Sequence, residues 1–389
     1  RRRLVDARPG DLESRADLSI ALVLVGDVLI ARGGRSEARP LFEKALAIDQ
    51  ELVSTEPTSR RYRSNLLWSR LRFVGLARED GDASGAATIL ASAMDTVATL
   101  LVRDPDDTDA WHGALVACGW AADMEPPGPR RCEPAGEALR YARRLLTLAP
   151  DHCVHQRECL RGLQRFAACA EAENDRPVAQ ALLEEADALS ERMLRVEPGN
   201  QEVRRFRSSF LRRRASQAEA DGDLATAAAL VQQAVAVSVE TVRRAPDEIP
   251  GLDELVRCDA NAARYLFRLG AENDEVRFHA RRAVDTCCRL AQDSRLDTAA
   301  ALEYARWLVD LPLAAPSDVA CGRRIAEQHL GETGQNLASA CELVGRCEQL
   351  SGDVASARAW YARALEHVPE DAEPLRARIQ RRLDALPPA

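Results

Sequence analysis

Three observations on the 389-residue chain predict an all-α fold, an α-solenoid of about eight antiparallel helix pairs. The first is a ruler of prolines: Pro9, Pro57 and Pro105 are 48 residues apart, Pro150 follows after 45, and Pro198 and Pro246 resume the 48-residue step. Their contexts agree ("ARPGD", "TEPTS", "RDPDD", "LAPDH", "VEPGN", "RAPDE"), and each reads as a helix end followed by a residue able to cap the next helix. The second is a turn mark, Gly33, Gly81, Asn174 and Gly222, each 24 residues before the next ruler proline. Glycine and asparagine tolerate the positive φ that a tight helix–helix turn needs. The third is composition: 46% apolar residues with only 4% aromatics, and abundant alanine, suit close helix packing better than sheets.

Each pair is justified by small residues on either side of its turn. Before the turn stand Gly26, Val74, Ala167 and Ala215; after it stand Ala38, Ala86, Ala179 and Ala227. Then come Phe42, Leu90, Leu183 and Val231, followed by Ala45, Ala93, Ala186 and Ala234. Spacings of four and three keep each set on one helical face. A small residue on one helix meets an alanine on the other, and the larger side chain fills the gap to the next pair. Leu41, Ala45, Ile48 and Leu52 continue an apolar stripe toward Pro57, so the second helix is expected to be long and packed. "MEPPGPRRCEP" (124–134) replaces a tight turn, and its four prolines are expected to exclude a helix and leave a surface insertion or docking loop. Spacing is irregular over 249–318, where "IPG" and "LPLAAPSD" interrupt the helices, and a bend near Pro250 is expected. Gly345, Gly352, Ala357, Tyr361, Ala364 and Pro369 restore the pattern, and 371–386 reads as a solvated terminal cap.

These marks resemble the tetratricopeptide repeat family. The likeness is close over Gly345–Pro369, and good at Leu22, Val25, Gly26, Leu29, Ala38, Phe42 and Ala45. The resemblance implies a right-handed superhelix. Second helices running about two turns past the family's usual stop are similar to bacterial arrays fused to signalling or effector modules. The expected organisation is extended repeats over 1–250, with 1–9 the remnant of a preceding repeat, irregular pairs over 251–334, and a repeat plus cap over 335–389. A remnant at the start predicts a piece cut from a longer protein.

Chemistry is sparse in this sequence. There is no glycine-rich phosphate loop, HExxH or GxSxG. No cofactor and no catalytic activity are expected. Eleven cysteines without a CxxC pair fit reduced thiols in a cytoplasm. No apolar run reaches membrane-spanning length; "LSIALVLV" stops at Gly26. His152, His155 and Cys159 fall on one helical stripe, which leaves open a zinc or thiol centre serving a protease or kinase effector. Cys287 and Cys288 are read as small hydrophobes, with His279 two turns away.

One pattern exceeds the background. All basic residues but Lys44 are arginine. Arg72, Arg165 and Arg213 occupy equivalent places on three first helices, with Arg157, Arg161, Arg205 and Arg212 a turn or so away and Trp68 and Trp111 on first helices too. The candidate ligand-binding set is Arg72, Arg165, Arg213, Arg161, Arg205 and Trp68, lining a groove for a protein or peptide, an acidic one suiting guanidinium forks. Salt-bridged surface arginine is the other reading. RNA or DNA is a less favoured partner at a net charge of −8. The function expected is a non-catalytic protein-interaction scaffold of a larger signalling protein.

Overall fold

The computed structural model describes residues 11–125, 128–291, 297–312, 314–370 and 372–387. Among them every regular element is a helix, 17 in number. The chain divides into two compact units, Arg1–Leu189 and Ser190–Ala389. The first holds α1 (Leu12–Ala31), α2 (Arg35–Thr55), α3 (Arg60–Glu79), α4 (Ala83–Arg103), α5 (Thr108–Met124), α6 (Pro129–Leu148) and α7 (Cys153–Ala172); α8 (Arg176–Val196) runs across the boundary. The second holds α9 (Gln201–Ala220), α10 (Leu224–Arg244), α11 (Ile249–Arg268), α12 (Asn273–Ala291), α13 (Thr298–Asp310), α14 (Pro316–Gln328), α15 (Gly334–Ser351), α16 (Val354–Glu366) and α17 (Glu373–Asp384).

The ruler marks where helices start. In every described case the residue two after a ruler proline is an N-cap: Ser59, Asp107, His152, Asn200 and Glu248. Ser59, Asp107 and Asn200 accept a hydrogen bond from a first-turn N–H, supplying a partner that the helix start lacks. The turn marks Gly33, Gly81, Asn174, Gly222, Gly270 and Gly352 all have positive φ, from 58° to 85°. Asn174 is the one non-glycine residue with this conformation among the described residues.

Packing follows the small-residue pattern. Val74, Ala167 and Ala215 before the turns, and Ala38, Ala86, Ala179 and Ala227 after them, are fully buried. A side chain on Gly26 would run into the Phe42 ring, and one on Gly345 would lie 3.0 Å from the Tyr361 ring. At Gly75 a Cβ would meet nothing within 4 Å, because Val74, one position earlier, is the residue in the interface. Ser19 donates to the Ala45 carbonyl and Ser208 to the Ala234 carbonyl, 26 residues on in both cases, so two distant pairs repeat one side-chain bond. Within each unit successive pairs stack, and first helices touch directly at α1–α3, α3–α5, α9–α11 and α13–α15. Each unit is therefore a solenoid segment, in which contacts run between neighbours.

Some sequence expectations change. The stripe of α2 is Ala38, Phe42, Ala45, Asp49 and Leu52, with Leu41 and Ile48 only half-buried, so a carboxylate stands in the core. The proline-rich stretch does not exclude a helix: α6 starts at Pro129 and contains Pro134. Proline at the first helical position loses no hydrogen bond. The one lost at Pro134 is offset by burial of Ala135, Ala138, Leu139, Ala142 and Leu145. Pro126 and Pro127 lie outside the described residues. Pro250 sits in the first turn of α11. The terminal helix α17 buries Leu375 and Ile379 and turns two arginines inward, so it is less solvated than expected. By length and composition α4 and α10 are apolar enough to cross a membrane, contrary to the sequence reading, yet both are second helices whose alanine-rich faces pack on their neighbours.

Candidate protein-binding surface

The first helices carry arginines at positions dictated by the repeat, and the structure gives four of them, Arg72, Arg165, Arg205 and Arg212, a carboxylate partner on the neighbouring first helix or its cap. Arg72 on α3 forms a two-pronged pair with Asp27 on α1, at 2.9 and 2.8 Å. Arg165 on α7 reaches Asp123 on α5 at 3.2 Å. Arg161 pairs within its own helix with Glu158 at 2.7 Å. In the second unit Arg205 pairs with Glu248 at the α11 start, and Arg212 with Glu254 at 3.0 Å. Arg213 lies on α9, half-buried and engaged. Trp68 meets His112 edge-on at 5.2 Å, and Arg72 lies over its ring at 5.7 Å. Burial holds His112 below the ordinary histidine range. Trp111 donates to the Pro105 carbonyl and tilts against Tyr141.

The arrangement is a ladder. Each guanidinium fork ties one pair to the next, and its planar geometry suits a carboxylate better than an ammonium would. Most of these pairs are partly exposed, and such a pair contributes about 0–1 kcal/mol. Arg72, Arg161, Arg165 and Trp68 belong to the first unit, and Arg205 and Arg213 to the second.

Sequence reading missed the densest part of this system. Glu342 on α15 has a fully buried side chain and receives both prongs of Arg378 (2.8 and 2.7 Å). Arg306 on α13 and Arg382 on α17 also reach it, each at 3.5 Å. Asp310 on α13 receives Arg346 at 3.0 Å and Arg382 at 2.7 Å. Four guanidinium groups thus meet two carboxylates. Arg306 Nε and Arg382 Nη1 are buried without a partner. Burial lowers the pKa of Arg306, while the acids around Arg382 outweigh burial and raise its own. Two clefts open beside this hub. One of about 330 Å³ is lined by Arg306, Trp307 and Asp310, the other of about 590 Å³ by Asp310, Arg323 and Arg346. The four arginines fall outside the 48-residue step; the only signal in the sequence was Arg378 and Arg382, four apart on the terminal helix.

The His152–Cys159 stripe is divided. His152 caps α7, its ring stacks at 4.1 Å on that of His155, and Cys159 is fully buried in the packed face. No group of three or more potential metal ligands converges among the described residues. His279 Nδ1 donates to the Asp259 carboxylate at 2.8 Å, and Cys287 is buried, its thiol pushed upward by desolvation.

No protein-family model and no curated protein matches the sequence. Solved structures do match. Aspartyl phosphate phosphatase F from Bacillus subtilis is 10% identical, with 92% of this chain and 93% of that one covered at a TM-score of 0.50. The nuclear import adaptor Nro1 of S. pombe is 10% identical, covering 76% and 98% at a TM-score of 0.52. A tetratricopeptide repeat protein from Parabacteroides merdae is 10% identical, covering 94% and 99% at 0.39. At these identities the likeness concerns the fold. Helix pairs closed by positive-φ turns, interlocked through alanine and glycine and stacked on their neighbours, make this chain an α-solenoid of the tetratricopeptide-repeat type.

Proposed function

We propose that the chain is a non-catalytic scaffold that recognises an acidic segment of a protein partner along its first helices. The observation that carries this reading is the surplus of guanidinium over carboxylate at Glu342 and Asp310, beside two open clefts. An incoming carboxylate can reach the guanidinium edges of Arg306, Arg323 and Arg346 that line these clefts. Arg72, Arg161, Arg165 and Trp68 in one unit, and Arg205 and Arg213 in the other, are the further contact candidates. Because carboxylates already hold Arg72, Arg161, Arg165 and Arg205 in place, a partner bound there would meet preordered side chains. Coupling to a fused or associated effector is part of the proposal and rests on analogy of fold.

The test is a fluorescence-anisotropy titration of the purified chain with a labelled twelve-residue Glu/Asp-rich peptide, a Lys-rich peptide and a single-stranded RNA. The acidic peptide is expected to bind, with affinity falling at least tenfold in the Arg306→Gln, Arg346→Gln double variant and little in Arg195→Gln, an exposed arginine on a second helix. Tighter binding of the RNA, or an affinity for the acidic peptide unchanged by the double variant, overturns the reading.

A further inference from the structure

Eleven cysteines are dispersed through the chain, and most are isolated or packed as small apolar residues. Cys132 and Cys169 are neighbours, but Cys169 is sealed in the core; a second thiol contact is more open. Cys288 on α12 and Cys321 on α14 approach with Sγ atoms 3.7 Å apart, and both are half-buried rather than sealed in the core. They come from the second helices of two successive pairs and are 33 residues apart in the sequence. Cys287, next in the chain, points instead into the apolar cluster and is fully buried. Adjacent residues on a helix diverge by about 100°, so only one of the two thiols can face α14. An Arg324 guanidinium N–H points at Cys321 Sγ from 3.7 Å.

We propose that Cys288 and Cys321 form a reversible oxidation site, closed to a disulfide by a hydroperoxide. A disulfide needs about 2.05 Å between sulfurs, so side-chain rotation with a small helix adjustment must bring them together from 3.7 Å. The step balances as follows. One thiolate attacks the peroxide, breaking the O–O bond and becoming a sulfenic acid while hydroxide leaves and is protonated to water. The second thiol attacks the sulfenic sulfur, forms the S–S bond and expels water. Two thiols and one hydrogen peroxide give one disulfide and two waters.

The consequence depends on which elements are joined. A bridge between helices of one hairpin would fasten what a tight turn already fastens. This one fastens α12 to α14, two second helices belonging to successive pairs, and so fixes the spacing of those pairs. Nearest-neighbour spacing sets the curvature of a solenoid, so the oxidised site stiffens this joint. Burial, then Cys321 itself and the carboxylates of Asp285 and Asp318, push the Cys288 thiol up to about 11. With the Arg324 guanidinium beside Cys321, closure is expected to be slow near neutral pH and to accelerate as pH rises toward 10.

The test treats the reduced full chain with hydrogen peroxide, blocks free thiols, digests with trypsin and maps peptides by mass. The expected product joins Ala283–Arg289 to Trp307–Arg323, lighter by two hydrogens than the separate peptides and split by dithiothreitol. It should persist in Cys287→Ser and vanish in Cys288→Ser and Cys321→Ser. In the wild-type chain, oxidation should raise the thermal midpoint by several degrees. The proposal is overturned if Cys288 and Cys321 remain free under conditions that fully oxidise the exposed Cys153, or if fragmentation of the linked wild-type peptides places the bridge on Cys287 and the thiol block on Cys288. A wild-type map alone decides this, so poor folding of a serine variant does not.

Discussion

The pairs α1–α4 and the helices α13–α17 solve one problem in two ways. The early pairs use helices of 20 and 21 residues, and Arg72 meets one partner, Asp27, on a partly open surface. From α13 onward, helices of 13 residues become common, and Arg306, Arg346, Arg378 and Arg382 converge on two carboxylates, one of them fully buried. Long helices bury enough alanine and leucine to let ion pairs remain peripheral. In the region of shorter helices a carboxylate is buried among three guanidinium groups, and without those partners it would be costly.

The sharpest way to break that contrast is to remove Glu342. Glu342→Ala leaves three arginines without their acceptor and should cost about 3–5 kcal/mol in urea unfolding. If its loss proves as mild as that of an exposed pair, the two regions do not differ in this way.

The early region has its own buried charge, and it acts with the opposite sign. Desolvation raises the pKa of Asp49 to about 6 from 3.8, against the hydrogen bond donated by the Ser69 hydroxyl. A raised folded-state value favours the protonated form, so the stabilisation is fully present below pH 3.8 and is lost as pH climbs through about 6. At about 1.4 kcal/mol per pKa unit this amounts to about 3 kcal/mol. Asp49→Asn should therefore match the wild type near pH 4 and exceed it by up to that amount at pH 8, measured as stability against pH.

Packing sharpens the comparison with smaller effects. At Gly322 on α14 a Cβ would lie 2.6 Å from Val309 Cγ2 and 2.9 Å from the Ala305 carbonyl oxygen. Gly322→Ala should cost about 1–3 kcal/mol by overfilling that contact. Ala227→Leu on α10 should cost a similar amount, with hydrogen-exchange protection falling in adjacent pairs only. Smallest are the exposed changes: Asp27→Ala should cost less than about 1 kcal/mol in a urea melt, and Gly75→Ala, with open space around it, should gain up to about 1 kcal/mol from helix propensity.

Much of the fold was legible because its determinants are local. A cap two residues after a proline, a positive φ at Gly222 or Asn174, and alanines at spacings of four and three act within one turn or one helix face. Pro134 misled because a proline's effect depends on what the rest of its helix buries. The arginine positions were legible, their partners were not: Asp27 is 45 residues from Arg72, and nothing in the spacing of arginines says which acid it faces.

By itself, then, the sequence determined the helices, the turns between them and the small-residue seams that join each pair, since backbone preference and periodicity are written residue by residue. Only the tertiary structure decided that Arg382 reaches Asp310 across 72 residues, that Glu342 is buried among three arginines, and that Cys288 rather than Cys287 faces Cys321. Those contacts depend on helix lengths and on how one pair rotates against the next. Helix lengths change after Asp297, where 13-residue helices replace those of 19 to 21 residues.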